Sequence, residues 1–80
     1  MSQLEKLRQI FSQTLAIPPA SVVDELAFNS IPEWESVAHM SLIAAMELAF
    51  DIMIDADDVV DMATFAKAQA IVAKYCGSAG

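Results

Sequence analysis

Residues 36–50 constrain the fold more than any other stretch. They read Ser-Val-Ala-His-Met-Ser-Leu-Ile-Ala-Ala-Met-Glu-Leu-Ala-Phe, with one acid, no Lys or Arg and neither proline nor glycine. Ala, Met and Leu favour helix. At about 100° per residue, His39, Ile43, Met46 and Phe50 fall on one side of such a helix, and Val37, Ser41, Ala44 and Leu48 on the opposite side. The first side carries the bulkier residues and is the expected core face. The second is smaller but uncharged. Either it touches a neighbour, as in the central helix of a bundle, or it is left for a partner protein. His39, Ser41 and Glu47 interrupt the run, which is too short to span a membrane.

The flanking segments divide into further helices. Leu4, Leu7, Phe11 and Leu15 form one apolar stripe, so a first helix is predicted over 2–15, with Ser2 as its cap. Ile17-Pro18-Pro19 is expected to end it, because a residue before proline is pushed out of the α region. A long connection follows to Glu35. A loop of this length in a compact domain is functional or tied down by its own apolar side chains. Residues 20–26 are expected to make a turn of helix, with Phe28, Ile31 and Trp34 as anchors. Asp55 to Asp61 predicts a brief helical turn, acidic at its start where the dipole favours acid. Thr64 is expected to cap a last helix running to about Tyr75, with Met62 as a staple and Phe65, Ala68, Val72 and Tyr75 as its stripe. The expected fold is all-α: a single small four-helix bundle, ordered over about 2–75, with residues 76–80 as a tail.

With 80 residues, the chain buries only about 60–65% of its unfolded surface. Cys76 is the one cysteine, so no disulfide reinforces the core, which fits a reducing compartment. The N-terminal residues lack the apolar core of a signal peptide. The expected location is cytoplasmic.

The formal net charge is −7, and no Lys or Arg lies between residues 9 and 66. That acidic middle repels nucleic acid. It keeps an apolar chain soluble, and it steers a partner bearing a basic patch.

Little catalytic chemistry is available. The single histidine restricts a Ser-His pairing to Ser36 and His39, with no third group to orient the imidazole. His39 is expected to be partly buried beneath the loop and bonded to backbone. The aspartates from Asp55 onward fail as a calcium loop: the sixth position is not Gly, and the twelfth is Ala66 rather than Glu. One Cys and one His far apart do not make a metal site. Ser36 stands where the second helix begins. Serine there is a good N-cap, worth about 1 kcal/mol. Yet the anchored loop before it and the apolar-faced helix after it exceed what a cap needs.

From Trp34 to Phe65 the chain resembles the acyl carrier protein family, the phosphopantetheine-binding carrier domains. The family's Asp-Ser-Leu signature appears as Glu35-Ser36-Val37. Met46-Glu47-Leu48-Ala49-Phe50 matches the end of the family's second helix, and Ile54-Asp55-Ala56-Asp57-Asp58 its acidic turn. Met62-Ala63-Thr64-Phe65 matches the step into its last helix. The resemblance implies a non-catalytic carrier. In it, Ser36 would be esterified by 4′-phosphopantetheine taken from coenzyme A by a phosphopantetheinyl transferase. The arm would hold an acyl or aminoacyl group as a thioester, given by a loading enzyme and passed to an acyltransferase or synthase with a basic patch.

Such a carrier is expected to be monomeric. Recognition is expected at Glu35, Val37, Met40, Ala44, Glu47, Leu48, Asp57 and Asp58. Glu35 for Asp and Val37 for Leu depart from the family pattern, and Ser41, Ala44 and Leu48 leave the second helix nearly neutral. These departures imply a specialised free-standing carrier of a lipid, polyketide, peptide or other secondary pathway, docking more by apolar contact. The alternative is an unmodified acidic interaction module with the same fold.

Overall fold

The computed structural model describes residues 2–76. The tail expected after residue 76 lies outside the described residues. Four helices follow in order: α1 (Gln3–Leu15), α2 (Ser36–Phe50), α3 (Ala56–Asp61) and α4 (Phe65–Cys76). Among the described residues there is one isolated antiparallel bridge, Ala27 to Thr64, and no longer strand. Among the described residues no helix is long and apolar enough to cross a membrane.

Ser2 caps α1 as expected, its hydroxyl accepting the Glu5 N–H at 3.1 Å. Leu7, Phe11 and Leu15 of the stripe are buried, whereas Leu4, in the first turn, is exposed. The helix stops before the prolines act. Ala16 turns left-handed at φ 56°, and both its N–H and that of Ile17 close onto the Ser12 carbonyl. The Ser12 hydroxyl in turn donates to the Ile17 carbonyl at 2.6 Å. The helical turn expected over 20–26 is shorter and earlier, a 3-10 turn at Pro19–Ser21.

The long connection is tied down both by side chains and by backbone. Val22, Leu26 and Trp34 are buried, and Phe28 and Ile31 pack against the core. Its backbone runs beside the start of α4. Phe28 N–H donates to the Ala63 carbonyl at 2.8 Å, and Phe65 N–H to the Leu26 carbonyl at 2.9 Å. Ala66 N–H reaches the Asp24 carbonyl at 3.2 Å. The Phe65 and Ala66 bonds use amides at the N-terminus of α4 that no intrahelical partner could satisfy. Thr64 satisfies another, its hydroxyl accepting the Lys67 N–H at 3.0 Å.

The core centres on Phe11. Its ring meets Trp34 edge-on at 5.2 Å and Phe65 at 5.0 Å, the edge-to-face arrangement that aromatic quadrupoles favour. α2 buries Leu42, Ile43 and Met46. Leu42 was not part of the expected core face, and His39 and Phe50 are only half-buried. α4 buries Phe65, Ala68, Ile71 and Val72, adding Ile71 to its expected stripe. Cys76, expected as the start of the tail, is the last residue of α4 and half-buried.

The opposite face of α2 is settled by exposure. Val37, Ser41, Ala44 and Leu48 are all exposed, with Leu48 at 86%. α2 is therefore not sandwiched between two neighbours in the fold. One of its apolar faces is covered and the other is not.

Candidate functional site

The chain enters α2 fixed on both sides of Ser36. Trp34 is fully buried, and its backbone is held in turns, N–H to the Ile31 carbonyl and carbonyl to the Asn29 N–H. Two residues later the helix begins. Its cap is Glu35, with extended backbone (φ −123°, ψ −171°) and Oε1 accepting the Ala38 N–H at 2.8 Å. The His39 N–H closes on the Glu35 carbonyl at 2.8 Å. Ser36 is thus the first helical residue, not the cap.

This placement corrects the expectation that Ser36 caps the helix. The longer Glu side chain reaches back over one turn and takes the capping bond. Ser36 is left exposed, and its hydroxyl makes no hydrogen bond among the described residues. Nor do the amides of Ser36 and Val37 find an acceptor there, being orphan donors of the first turn. A hydroxyl beside free amides at a positive helix end suits a phosphate ester.

Beside the hydroxyl runs an open groove of about 540 Å³, lined by Ser36, Val37, Met40, Ser41 and Ala44. It is largely apolar. Val37, Met40, Ala44 and Leu48, the expected docking residues of α2, therefore share one exposed face that begins at Ser36.

The expected acidic residues have diverse settings. Glu35 is exposed but spends one oxygen on the cap. Glu47 is half-buried, its Oε2 accepting the Ile54 N–H at 2.9 Å and so fixing the turn after α2. Asp57 is exposed.

Asp58, expected at the recognition surface, is buried instead. Its Oδ2 accepts from Lys74 Nζ at 2.8 Å and from the Tyr75 hydroxyl at 2.5 Å. The Tyr75 oxygen also accepts the Asp55 N–H at 3.0 Å. Asp58 therefore fastens α3 to the end of α4. The Lys74 ammonium, then the Tyr75 hydroxyl, hold its carboxyl below the usual carboxylate range against the opposing effect of burial. Donation to Asp58 raises both Lys74 and Tyr75. Residues 16 and 17 positions apart gave no local signal of this cluster.

His39 is half-buried and bonded to backbone, as expected: Nε2 lies 2.8 Å from the Val59 carbonyl of α3. Its second bond was not anticipated. The Trp34 Nε1–H donates to His39 Nδ1 at 3.0 Å. The ring stacks beside Trp34 at 6.0 Å and meets Phe28 edge-on at 5.3 Å. Phe28, His39, Val59, Val60, Met62 and Ala63 line an apolar cleft of about 210 Å³ between the loop, α2 and α3.

An acyl carrier protein from Desulforapulum autotrophicum is 39% identical over 71 residues, which cover 80% of this chain and 84% of that protein. The chain belongs to the acyl carrier protein family. The solution NMR structure of a holo acyl carrier protein from Geobacter metallireducens superposes with a TM-score of 0.79 at 26% identity. That match covers 92% of this chain and 85% of the other. No family model matches the sequence. Membership in a family of carriers accounts for the thin catalytic inventory. It also accounts for the all-helical fold.

Proposed function

We propose that Ser36 is the attachment point of a 4′-phosphopantetheine arm, and that the chain carries an acyl or aminoacyl group for a dedicated biosynthetic pathway. The observation that carries this is the bare Ser36 hydroxyl at the first turn of α2, flanked by the unbonded amides of Ser36 and Val37. Similarity to a holo acyl carrier protein supports the same prosthetic group. Loading joins Ser36 Oγ to the phosphorus nearest the pantetheine of coenzyme A. The phosphorus–oxygen bond to the nucleotide breaks, and the hydroxyl proton passes to the transferase. Once attached, the arm supplies a terminal thiol that holds the cargo as a thioester.

The chain's own residues present this group rather than transform it. The helix end favours the phosphodiester by about 0.3–1 kcal/mol, enough to orient but not to hold, and the ester bond does the holding. The groove along Val37, Met40 and Ala44, continued by Leu48, offers partner enzymes an apolar track leading to Ser36. The free oxygen of Glu47 on the same helix and the exposed Asp57 of α3 add negative charge for a basic patch. Asp58 has no part in this docking, since Lys74 and Tyr75 occupy it.

The test is incubation of the purified chain with coenzyme A, magnesium and a broad-specificity phosphopantetheinyl transferase. Intact mass should rise by one phosphopantetheinyl group, mapped to the peptide containing Ser36. An unchanged mass with several transferases favours an unmodified interaction module instead.

A further inference from the structure

We propose that His39 is a positioning residue for the loading of Ser36: held as one neutral tautomer between Trp34 and α3, it clamps the turn that presents the serine. This rests on Ser36 being the attachment point.

The tautomer follows from the partners. An indole N–H only donates, so His39 Nδ1 must carry the lone pair that accepts it. A carbonyl only accepts, so Nε2 must carry the proton given to Val59. One neutral form satisfies both contacts, and neither the other tautomer nor the imidazolium does. Trp34 is 0% exposed, so no water stands in for His39 as the acceptor.

The geometry then closes around Ser36. Residues 34 and 39 are joined by the indole–imidazole bond at 3.0 Å. Inside that ring, the Glu35 carbonyl takes the His39 N–H and the Glu35 carboxylate takes the Ala38 N–H, each at 2.8 Å. Ser36 lies within this closed segment and is itself bonded to nothing there. Its backbone is placed by this clamped turn together with the helix it opens. The far side of the same imidazole reaches α3 through Val59, so the serine turn and α3 are fixed to each other through one ring. Attack on phosphorus demands an oriented hydroxyl, and a misplacement of about 1 Å costs up to roughly a hundredfold in rate.

A residue that only fills space would be served best by another ring. A clamp is served best by an acceptor in the place of Nδ1. His39→Phe keeps the ring and loses both bonds, whereas His39→Asn loses the ring and keeps an acceptor near Nδ1. Trp34→Phe removes the indole N–H from the other side. Each variant is checked for folding by its thermal melt, and loading is followed with coenzyme A, magnesium and the transferase.

His39→Phe and Trp34→Phe should each lower the rate of loading roughly tenfold or more, mainly in kcat, and His39→Asn should recover most of it. The nitrogen-15 spectrum of the unmodified chain, which holds one histidine, should show Nε2 protonated and Nδ1 bare. Loading of folded His39→Phe at the wild-type rate overturns the proposal. So does His39→Asn loading more slowly than His39→Phe, or a mixture of tautomers. A wild-type chain that no transferase loads overturns the attachment at Ser36 itself, and the positioning role with it.

Discussion

Glu35 and Ala38 close the start of α2, Glu35 Oε1 accepting the Ala38 N–H at 2.8 Å. Ser36 lies between them and takes no part. The residue that stabilises the helix end and the residue proposed to carry the arm are thus adjacent but separate. A serine engaged in capping would have to give up its bond on modification. This one has nothing to give up.

The separation predicts opposite phenotypes for neighbouring substitutions. Ser36→Ala should abolish loading and change stability by no more than about 0.5 kcal/mol, since it removes no bond and alanine is a good helix former. Glu35→Ala should cost about 1 kcal/mol, a cap's worth, without removing the nucleophile. Denaturant melts and intact-mass loading assays of the two variants check this. A destabilised Ser36→Ala would return the cap to Ser36.

The sequence announces the helices because their signals are local. The stripe of α1 from Leu7 onward, the cap at Ser2 and the Thr64 start of α4 are all patterns within a few residues, and all appear in the fold. What it hides depends on distant partners. Asp58 reads as one acid among several after α2, and only folding brings Lys74 and Tyr75 to it. Likewise the pairing of Asp24–Phe28 with residues 63–66 has no periodic trace, because it rests on backbone groups that every residue carries. The error at Ser36 is of another kind. Serine is the better cap by propensity, but the chain enters the helix one residue earlier, and Glu35 is long enough to reach the amide. The Trp34–His39 bond had a sequence signal: the only indole and the only imidazole stand five residues apart across a helix start.

Leu48 is 86% exposed on the uncovered face of α2, so its role can be separated from packing. Leu48→Glu should leave stability within about 0.5 kcal/mol of the parent, as for other surface changes. It should also slow transfer of cargo to the natural acceptor enzyme, because it sets a charge in the apolar track leading to Ser36. Transfer kinetics beside a thermal melt test both halves. Unchanged transfer would remove Leu48 from the docking face.

Ala16 ends α1 with φ 56°, in the left-handed region where a Cβ is crowded. Glycine relieves that crowding but loses more freedom on folding. The balance favours the variant: Ala16→Gly should stabilise by about 0.5 kcal/mol, roughly 2–4 °C in Tm for a domain of this size. Calorimetry measures it. A fall in Tm would mean that the Ser12–Ile17 bonds, rather than the Ala16 backbone, decide where the helix stops.

The Asp58 cluster sets a pH window for the junction of α3 and α4. The folded pKa of Asp58 is depressed, so its contribution is complete above the unfolded carboxylate value of about 3.9 and is lost as pH falls through the folded value. Lys74 and Tyr75 are raised, so theirs is complete below the unfolded values of about 10 and is lost as pH rises through the folded ones. The tie is therefore whole between about pH 4 and pH 10. Asp58→Asn should lower Tm throughout that range, since it removes the ion pair with Lys74 and weakens acceptance from Tyr75. The difference between parent and variant should shrink on acidification below about pH 4, where the parent's carboxyl is itself protonated. Comparing the two chains at each pH cancels the titration of the other carboxylates, which in an acidic protein also relieves self-repulsion. A gap that stays constant down to about pH 2 would show that Asp58 holds α3 by shape and neutral hydrogen bonding, not by its charge.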